Sequence, residues 1–310
     1  MKRIIFFCCL ILQMYNAVRA QTDNAGWMSS LPDALPVSRL SIPGTHDSGT
    51  AGVWFPMRHY ASTQTMDLSG QWDAGIRFFD LRPKLENGKL KIYHGPANCH
   101  ITLEEALFIL KEKLEQNPSE FCIVMTNSAG GGQTAVDKTM ELINSVIPGG
   151  MLADFKADMT VANMRGRILF IHRNAPSAGI GYPGVVTRGW PGNGTSRRIR
   201  MVSSKGESAE LWAQDYFTSG NNDKEAYLTG KWNSMYSLLS AFPDSGNGIW
   251  CINHSSGYTG TGVKTNIRRN ADATNGLLLE YLNEHLGPVG IIPMDFPSQE
   301  LIDAIINHCR

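Results

Sequence analysis

Cysteine is scarce in this 310-residue chain: there are six, and Cys8 and Cys9 both fall in the first ten residues. The other four, Cys99, Cys122, Cys251 and Cys309, stand far apart, which excludes the paired CxxC spacing of a structural zinc site and leaves any disulfide pairing open. Beyond the N-terminal segment, no stretch approaches the roughly 20 uninterrupted apolar residues that a membrane-spanning helix needs. Runs of Lys and Arg are also missing. Acidic and basic residues balance at 28 each, and a chain without a basic cluster has little counterion release to draw on for holding nucleic acid. Internal repeats, low-complexity tracts, a Gly-x-Ser-x-Gly nucleophile elbow and an HExxH zinc helix are absent too.

What is present begins with MKRIIFFCCLILQMYNAVRA, where Lys2 and Arg3 precede a short apolar run and Val18 and Ala20 flank Arg19 in a cleavage-like pattern. Residues 1–20 are therefore expected to be a secretory signal peptide, and residues 21–310 one exported domain, secreted or periplasmic. Without Lys2, Arg3 and Arg19 the charge becomes 25 basic against 28 acidic residues. A hydrophobic content of 42% is enough for one substantial core.

Apolar strands then alternate with amphipathic helices. The first strand is placed at Leu40–Pro43, and GIRFFDLRPKL reads as a buried strand followed through an Asn-Gly turn by the hairpin ENGKLKIYHGP. LEEALFILKEKLEQ carries apolar residues at Leu103, Ala106, Leu107, Leu110 and Leu114, with Thr102 and Glu105 forming a capping box. FCIVMTN, GRILFIHRN, ELWAQDYF, GIWCINHSS and GPVGIIPMDF supply further strands. A Gly-rich tract from Ala178 to Thr195 interrupts them. This alternation predicts an α/β fold with a closed, parallel barrel that is imperfect in one sector.

Polar residues recur at the carboxyl ends of these strands. SIPGTHDSGT presents His46 and Asp47, RFFDLR carries Asp80 and Arg82, and His94 lies on the return of the hairpin. Arg173, Asp215 and Asp295 each follow a later strand. A parallel barrel gathers such positions at one face. Taken singly, Asp47 or Thr45 could cap a helix, Asp80 could merely pair with Arg82, and His172 and His254 could be internally satisfied. Two histidines, an arginine and several carboxylates together suit phosphodiester transesterification: one imidazole takes a proton from a neighbouring hydroxyl, the other protonates the departing alkoxide, and a guanidinium neutralises the phosphorane-like charge. No metal or other cofactor is needed if Arg82 does that work.

SIPGTHDS, RFFDLR and YHGP, in that order, resemble bacterial phosphatidylinositol-specific phospholipase C, and FIHRN, RGWPGN, AQDYF and MDFP extend the resemblance along the chain. The resemblance implies an irregular TIM-type barrel that cleaves phosphatidylinositol, or a glycosylphosphatidylinositol, into diacylglycerol and inositol 1,2-cyclic phosphate. It implies that His46 is the general base supported by Asp295, His94 the general acid, Asp47 its helper near the leaving oxygen, and Arg82 the phosphate ligand positioned by Asp80. Arg173 and Asp215 match residues that hold inositol hydroxyls, and Phe217 stands where the family usually has a stacking tyrosine. Where the family often has a ring-site lysine, this chain reads MTNSAGGG, leaving Asn127 or Ser128. Arg82 marks the metal-independent branch, since the calcium-dependent branch has an acid there.

Two rival readings are a metal-dependent glycerophosphodiesterase-like or sphingomyelinase-like barrel, with His46, Asp80 and Asp295 around a divalent ion, and a noncatalytic inositol- or glycan-binding module. The expected partners are phosphatidylinositol and a membrane interface, approached by a monomer through Trp54, Phe55, Tyr182 and Trp190 in loop-like contexts.

Overall fold

The computed structural model describes residues 24–309 except 174, 176–180 and 262–263; the expected signal peptide, 1–20, lies outside the described residues. The fold is a closed barrel whose strands run in the spatial order β1 (Ile42–Thr45), β12 (Ile291–Met294), β11 (Ile249–Asn253), β10 (Ser208–Gln214), β9 (Arg197–Ser203), β8 (Val185–Thr187), β7 (Ile168–Arg173), β6 (Cys122–Thr126) and β2 (Phe78–Leu81), which pairs back onto β1. All neighbours are parallel except at β9, which is antiparallel to both β8 and β10. This is the irregular α/β barrel expected; the imperfect sector begins within the Gly-rich tract, which contains β8, and continues into β9. β9 itself was not foreseen: its RRIRMVS sequence is mostly exposed at its charged half and lacks the apolar run of its neighbours.

Outside the barrel, β3 (Pro83–Glu86), β4 (Lys89–His94) and β5 (Ala97–Thr102) form a small antiparallel sheet. Asn87 and Gly88 both adopt positive φ, 50° and 77°, as a tight hairpin turn requires. That turn fixes the register of β4 and so the place of His94 at its end. The helix Leu103–Gln116 has the capping box, with Thr102 and Glu105 bonded reciprocally, and buries the five apolar residues of its predicted stripe.

The first strand differs from expectation. Pro43 and Gly44 lie within β1 rather than ending it. The N–H groups of Ile42 and His46 face β12, so that of residue 43 would face β2, whose pairing with β1 starts only at Gly44; the proline thus breaks no ladder bond. Gly44 is needed for close packing, because a Cβ there would sit 2.9 Å from the Phe78 side chain. At the opposite end of the barrel the buried Arg77 and Glu120 pair at 2.8 Å, with Arg77 also donating to the Trp72 and Ile76 carbonyls. A paired, fully bonded charge closes that end without an orphan ion.

Candidate active site

Asp47 follows β1 in the left-handed region, φ 46°, a conformation uncommon for a residue other than glycine. Its side chain is buried and caps no helix. Instead Oδ1 lies 2.9 Å from Arg82 Nε, and Oδ2 lies 3.2 Å from His46 Nε2 and 3.5 Å from His94 Nε2, without a hydrogen bond of its own. The turn is held from outside by Gln64, whose amide donates to the His46 and Met294 carbonyls, and by Thr63, whose hydroxyl donates to the carbonyls of His46 and Asp47.

His46 is fixed from both sides. Nδ1 is 2.8 Å from Asp295 Oδ1, and Nε2 is 2.7 Å from Arg82 Nη2. Because guanidinium only donates, Nε2 is the accepting nitrogen and Nδ1–H donates to Asp295. Burial works against the charged ring, but Asp47 and Asp295 together outweigh it and raise the His46 pKa. Asp295 Oδ2 in turn accepts from the Gly257 N–H at 3.2 Å.

Arg82 also donates to Asp80 Oδ2 at 3.0 Å. Asp80 is fully buried in β2; burial alone would protonate it, and Arg82 overrides that and holds its pKa well below the usual carboxylate range. Burial likewise disfavours charge on Arg82, and Asp47 and Asp80 more than compensate, raising its pKa. Asp80 therefore does pair with Arg82, and the pair belongs to the site. His94 Nδ1 lies 2.7 Å from the Ala61 carbonyl, which only accepts, so Nδ1 carries a proton and donates it there, while Nε2 faces Asp47. The two imidazoles stand nearly perpendicular, with centroids 6.3 Å apart.

Across the opening, Arg173 Nη2 pairs with Asp215 Oδ2 at 2.9 Å, and the same oxygen accepts from Trp190 Nε1 at 2.9 Å. Burial lowers the Arg173 pKa; it also opposes the Asp215 carboxylate, which His254 and Arg173 nonetheless keep on the acidic side of its ordinary value. Phe217 stacks on Tyr258, with centroids 6.1 Å apart and planes at 21°. His46, Arg82, His94, Arg173, Asp215, Phe217 and Asp295 all line one cavity of about 540 Å³, as does Asn127, while Asp47 and Asp80 lie buried beneath it. Every residue singled out for the site thus converges at the carboxyl ends of the strands.

Other expectations need correction. Trp190 is not a membrane-facing ring: it is 5% exposed, bonded to Asp215 and covered by the Arg173 guanidinium. Tyr182 is half-buried, its hydroxyl donating to the Val202 carbonyl. Trp54 and Phe55 remain, at 67% and 89% exposed. His172 is satisfied internally by Thr126 and the Pro183 carbonyl, and burial lowers its pKa to about 4. Cys99, Cys122 and Cys251 are buried thiols, and the Cys309 thiol donates to the Ser41 carbonyl at 2.9 Å. Tyr258 escaped the sequence reading; an aromatic in a Gly-flanked loop directly after β11 was the available signal.

No family model matches the chain. A "1-phosphatidylinositol phosphodiesterase" of Listeria monocytogenes is 28% identical over 303 residues, covering 94% of this chain and 87% of the relative. The solved phosphatidylinositol-specific phospholipase C from Listeria monocytogenes superposes with a TM-score of 0.73 at 25% identity, over 92% of this chain and 98% of that one. This chain is similar in sequence and in fold to bacterial phosphatidylinositol-specific phospholipases C. A Staphylococcus aureus phosphatidylinositol-specific phospholipase C shares the fold, with a TM-score of 0.77 at 20% identity over 91% of this chain and 97% of its own. The barrel fold is therefore a shared architecture of this chain and these phospholipases.

Proposed function

We propose that this chain is an exported phospholipase C acting on phosphatidylinositol at a membrane surface as a monomer, and that it works by intramolecular transesterification without a metal. The single observation that carries this reading is the His46–Asp295 pair set against Arg82 and His94 in one cavity. His46 Nε2 removes the proton of the inositol 2-hydroxyl, and the oxygen attacks phosphorus. As the P–O bond to diacylglycerol breaks, His94 acts as an imidazolium: Nδ1–H stays on the Ala61 carbonyl while Nε2–H, oriented by Asp47 Oδ2, protonates the leaving oxygen and leaves a neutral ring. The products are diacylglycerol and inositol 1,2-cyclic phosphate. Attack within one molecule benefits from a large effective concentration, which favours the cyclic product. Water can open the ring in a second step with the roles of the histidines exchanged.

Arg82 links these events. Its Nη2–H is directed at the lone pair of His46 Nε2. A phosphate oxygen offers the guanidinium a charged acceptor, so substrate binding would draw Arg82 off and free the base. Arg173, Asp215 and the stacked Phe217–Tyr258 pair supply polar and apolar contacts suited to an inositol ring.

The metal-dependent alternative meets an obstacle in the same guanidinium. One ligand atom each from His46, Asp47 and Asp80 can lie within 4.8 Å of one another, yet Arg82 contacts all three at 2.7, 2.9 and 3.0 Å. A divalent ion would have to displace a cation already paired there. Asp295, named as a ligand in that reading, instead faces the opposite nitrogen of His46. Phosphorus NMR of the products from pure phosphatidylinositol in excess EDTA tests the proposal. A cyclic phosphate signal supports it; loss of activity restored by a divalent metal overturns it.

A further inference from the structure

The helix Lys224–Ala241 buries Tyr227, Lys231, Ser234 and Met235 along one face, so a lysine occupies the middle of its inward stripe. Lys231 is 0% exposed. Its Nζ donates to the Tyr216 carbonyl at 2.8 Å and points at Gln214 Oε1 from 3.5 Å, both neutral oxygens. An uncharged methionine would fill such a helical position without the cost of desolvating an ammonium. Packing alone therefore gives no reason for a lysine.

The reason lies in what it touches. Tyr216 stands between Asp215 and Phe217, which both line the cavity. Gln214 Oε1 accepts from the Tyr216 N–H at 2.5 Å, while its amide nitrogen donates to Asn253 Oδ1 and the His254 carbonyl at 2.8 Å. The Phe217 carbonyl accepts from the Tyr258 N–H, tying this segment to the loop whose Gly257 N–H supports Asp295. One buried cation thus sits behind the two loops that supply Asp215, the stacked rings and the support for the His46 partner. Burial lowers its pKa to about 7, against the opposing pull of Asp215 and Asp295.

We infer that Lys231 is a positioning residue of the ring site: its ammonium anchors the Tyr216 carbonyl and thereby sets Asp215 and Phe217 against the headgroup. This rests on the phospholipase reading given above. It touches no reacting atom, so its loss should weaken headgroup binding more than turnover.

The test is Lys231→Met, assayed on phosphatidylinositol in mixed micelles, with myo-inositol as competitor. The expected result is a KM and an inhibition constant for myo-inositol both raised roughly tenfold, with kcat within about threefold of the parent. A folded variant with a lowered thermal midpoint but unchanged KM and inhibition constant overturns the inference, because that is the mark of a purely structural lysine. If Lys231→Met does not fold, Lys231→Gln decides: its uncharged amide ends one bond short of the Nζ position and so gives up the bond to the Tyr216 carbonyl, and unchanged constants there overturn the inference equally. A parent protein that makes no cyclic phosphate would instead sink the phospholipase reading, and calorimetric binding of myo-inositol to parent and variant would then still judge Lys231.

Discussion

His46 and Asp295 directly follow the first and last barrel strands and meet at 2.8 Å, Nδ1 to Oδ1. The pairing joins residues 249 positions apart and depends on β1 and β12 lying side by side. It fixes the tautomer that leaves Nε2 as the proton acceptor, the form a general base needs.

A pH consequence follows from the sign of the shift. Asp47 and Asp295 raise the His46 pKa despite burial, and a base acts only when deprotonated. The acid limb of kcat/KM should therefore lie above the ordinary histidine value. Asp295→Asn removes a negative charge that favours imidazolium, so the limb should move to lower pH while the plateau falls by roughly 100- to 10,000-fold. A full pH–rate profile of both proteins checks this; a limb that stays in place or moves upward would count against the pairing as a catalytic one.

Arg82→Lys should cost far more than conservation of charge suggests. Arg82 reaches Asp47 through Nε and Asp80 and His46 through Nη2, a fork that a single ammonium cannot reproduce. The expected outcome is a fall in kcat of roughly 100- to 1,000-fold with a thermal midpoint close to the parent's. Near-normal turnover would show that the guanidinium is not the phosphate ligand.

Trp54 and Phe55, both strongly exposed, precede a segment whose Tyr60 and Thr63 line the cavity. Replacing either by Ala should weaken sedimentation with neutral vesicles by about tenfold with little salt dependence, as apolar insertion requires. Trp190→Ala should leave vesicle binding intact and raise KM, since its indole N–H holds Asp215. Vesicle binding lost with Trp190 but kept without Trp54 and Phe55 would reverse this assignment.

The site was legible in the sequence because a parallel barrel turns a simple pattern, a polar residue just after an apolar strand, into a place in space. His46, Asp80, Arg82, Arg173, Asp215 and Asp295 carry that pattern. Less was legible where two contexts conflict. Trp190 stands among Pro and Gly residues, which suggests a surface loop, and only the folded chain brings Asp215 to its N–H. β9 carries Arg197, Arg198 and Arg200, and as an antiparallel, half-exposed strand it lacks the apolar run of a buried parallel one. Lys231 reads as a solvent-facing charge because lysine is almost never fully buried. Pro43 and Gly44 imitate a turn, and the register that lets them stay in a strand is not written locally.

The central claim is that His46 is the base and His94 the acid, and one comparison tests it directly: His46→Ala and His94→Ala assayed on phosphatidylinositol and on an inositol nitrophenyl phosphodiester. A nitrophenolate leaves without help from an acid, so His94→Ala should be severely impaired on the lipid yet recover most of its activity on the aryl ester. His46→Ala should stay severely impaired on both, because the attacking 2-hydroxyl is the same in each. Recovery of His46→Ala on the aryl ester, or no preferential recovery of His94→Ala, would contradict the assignment.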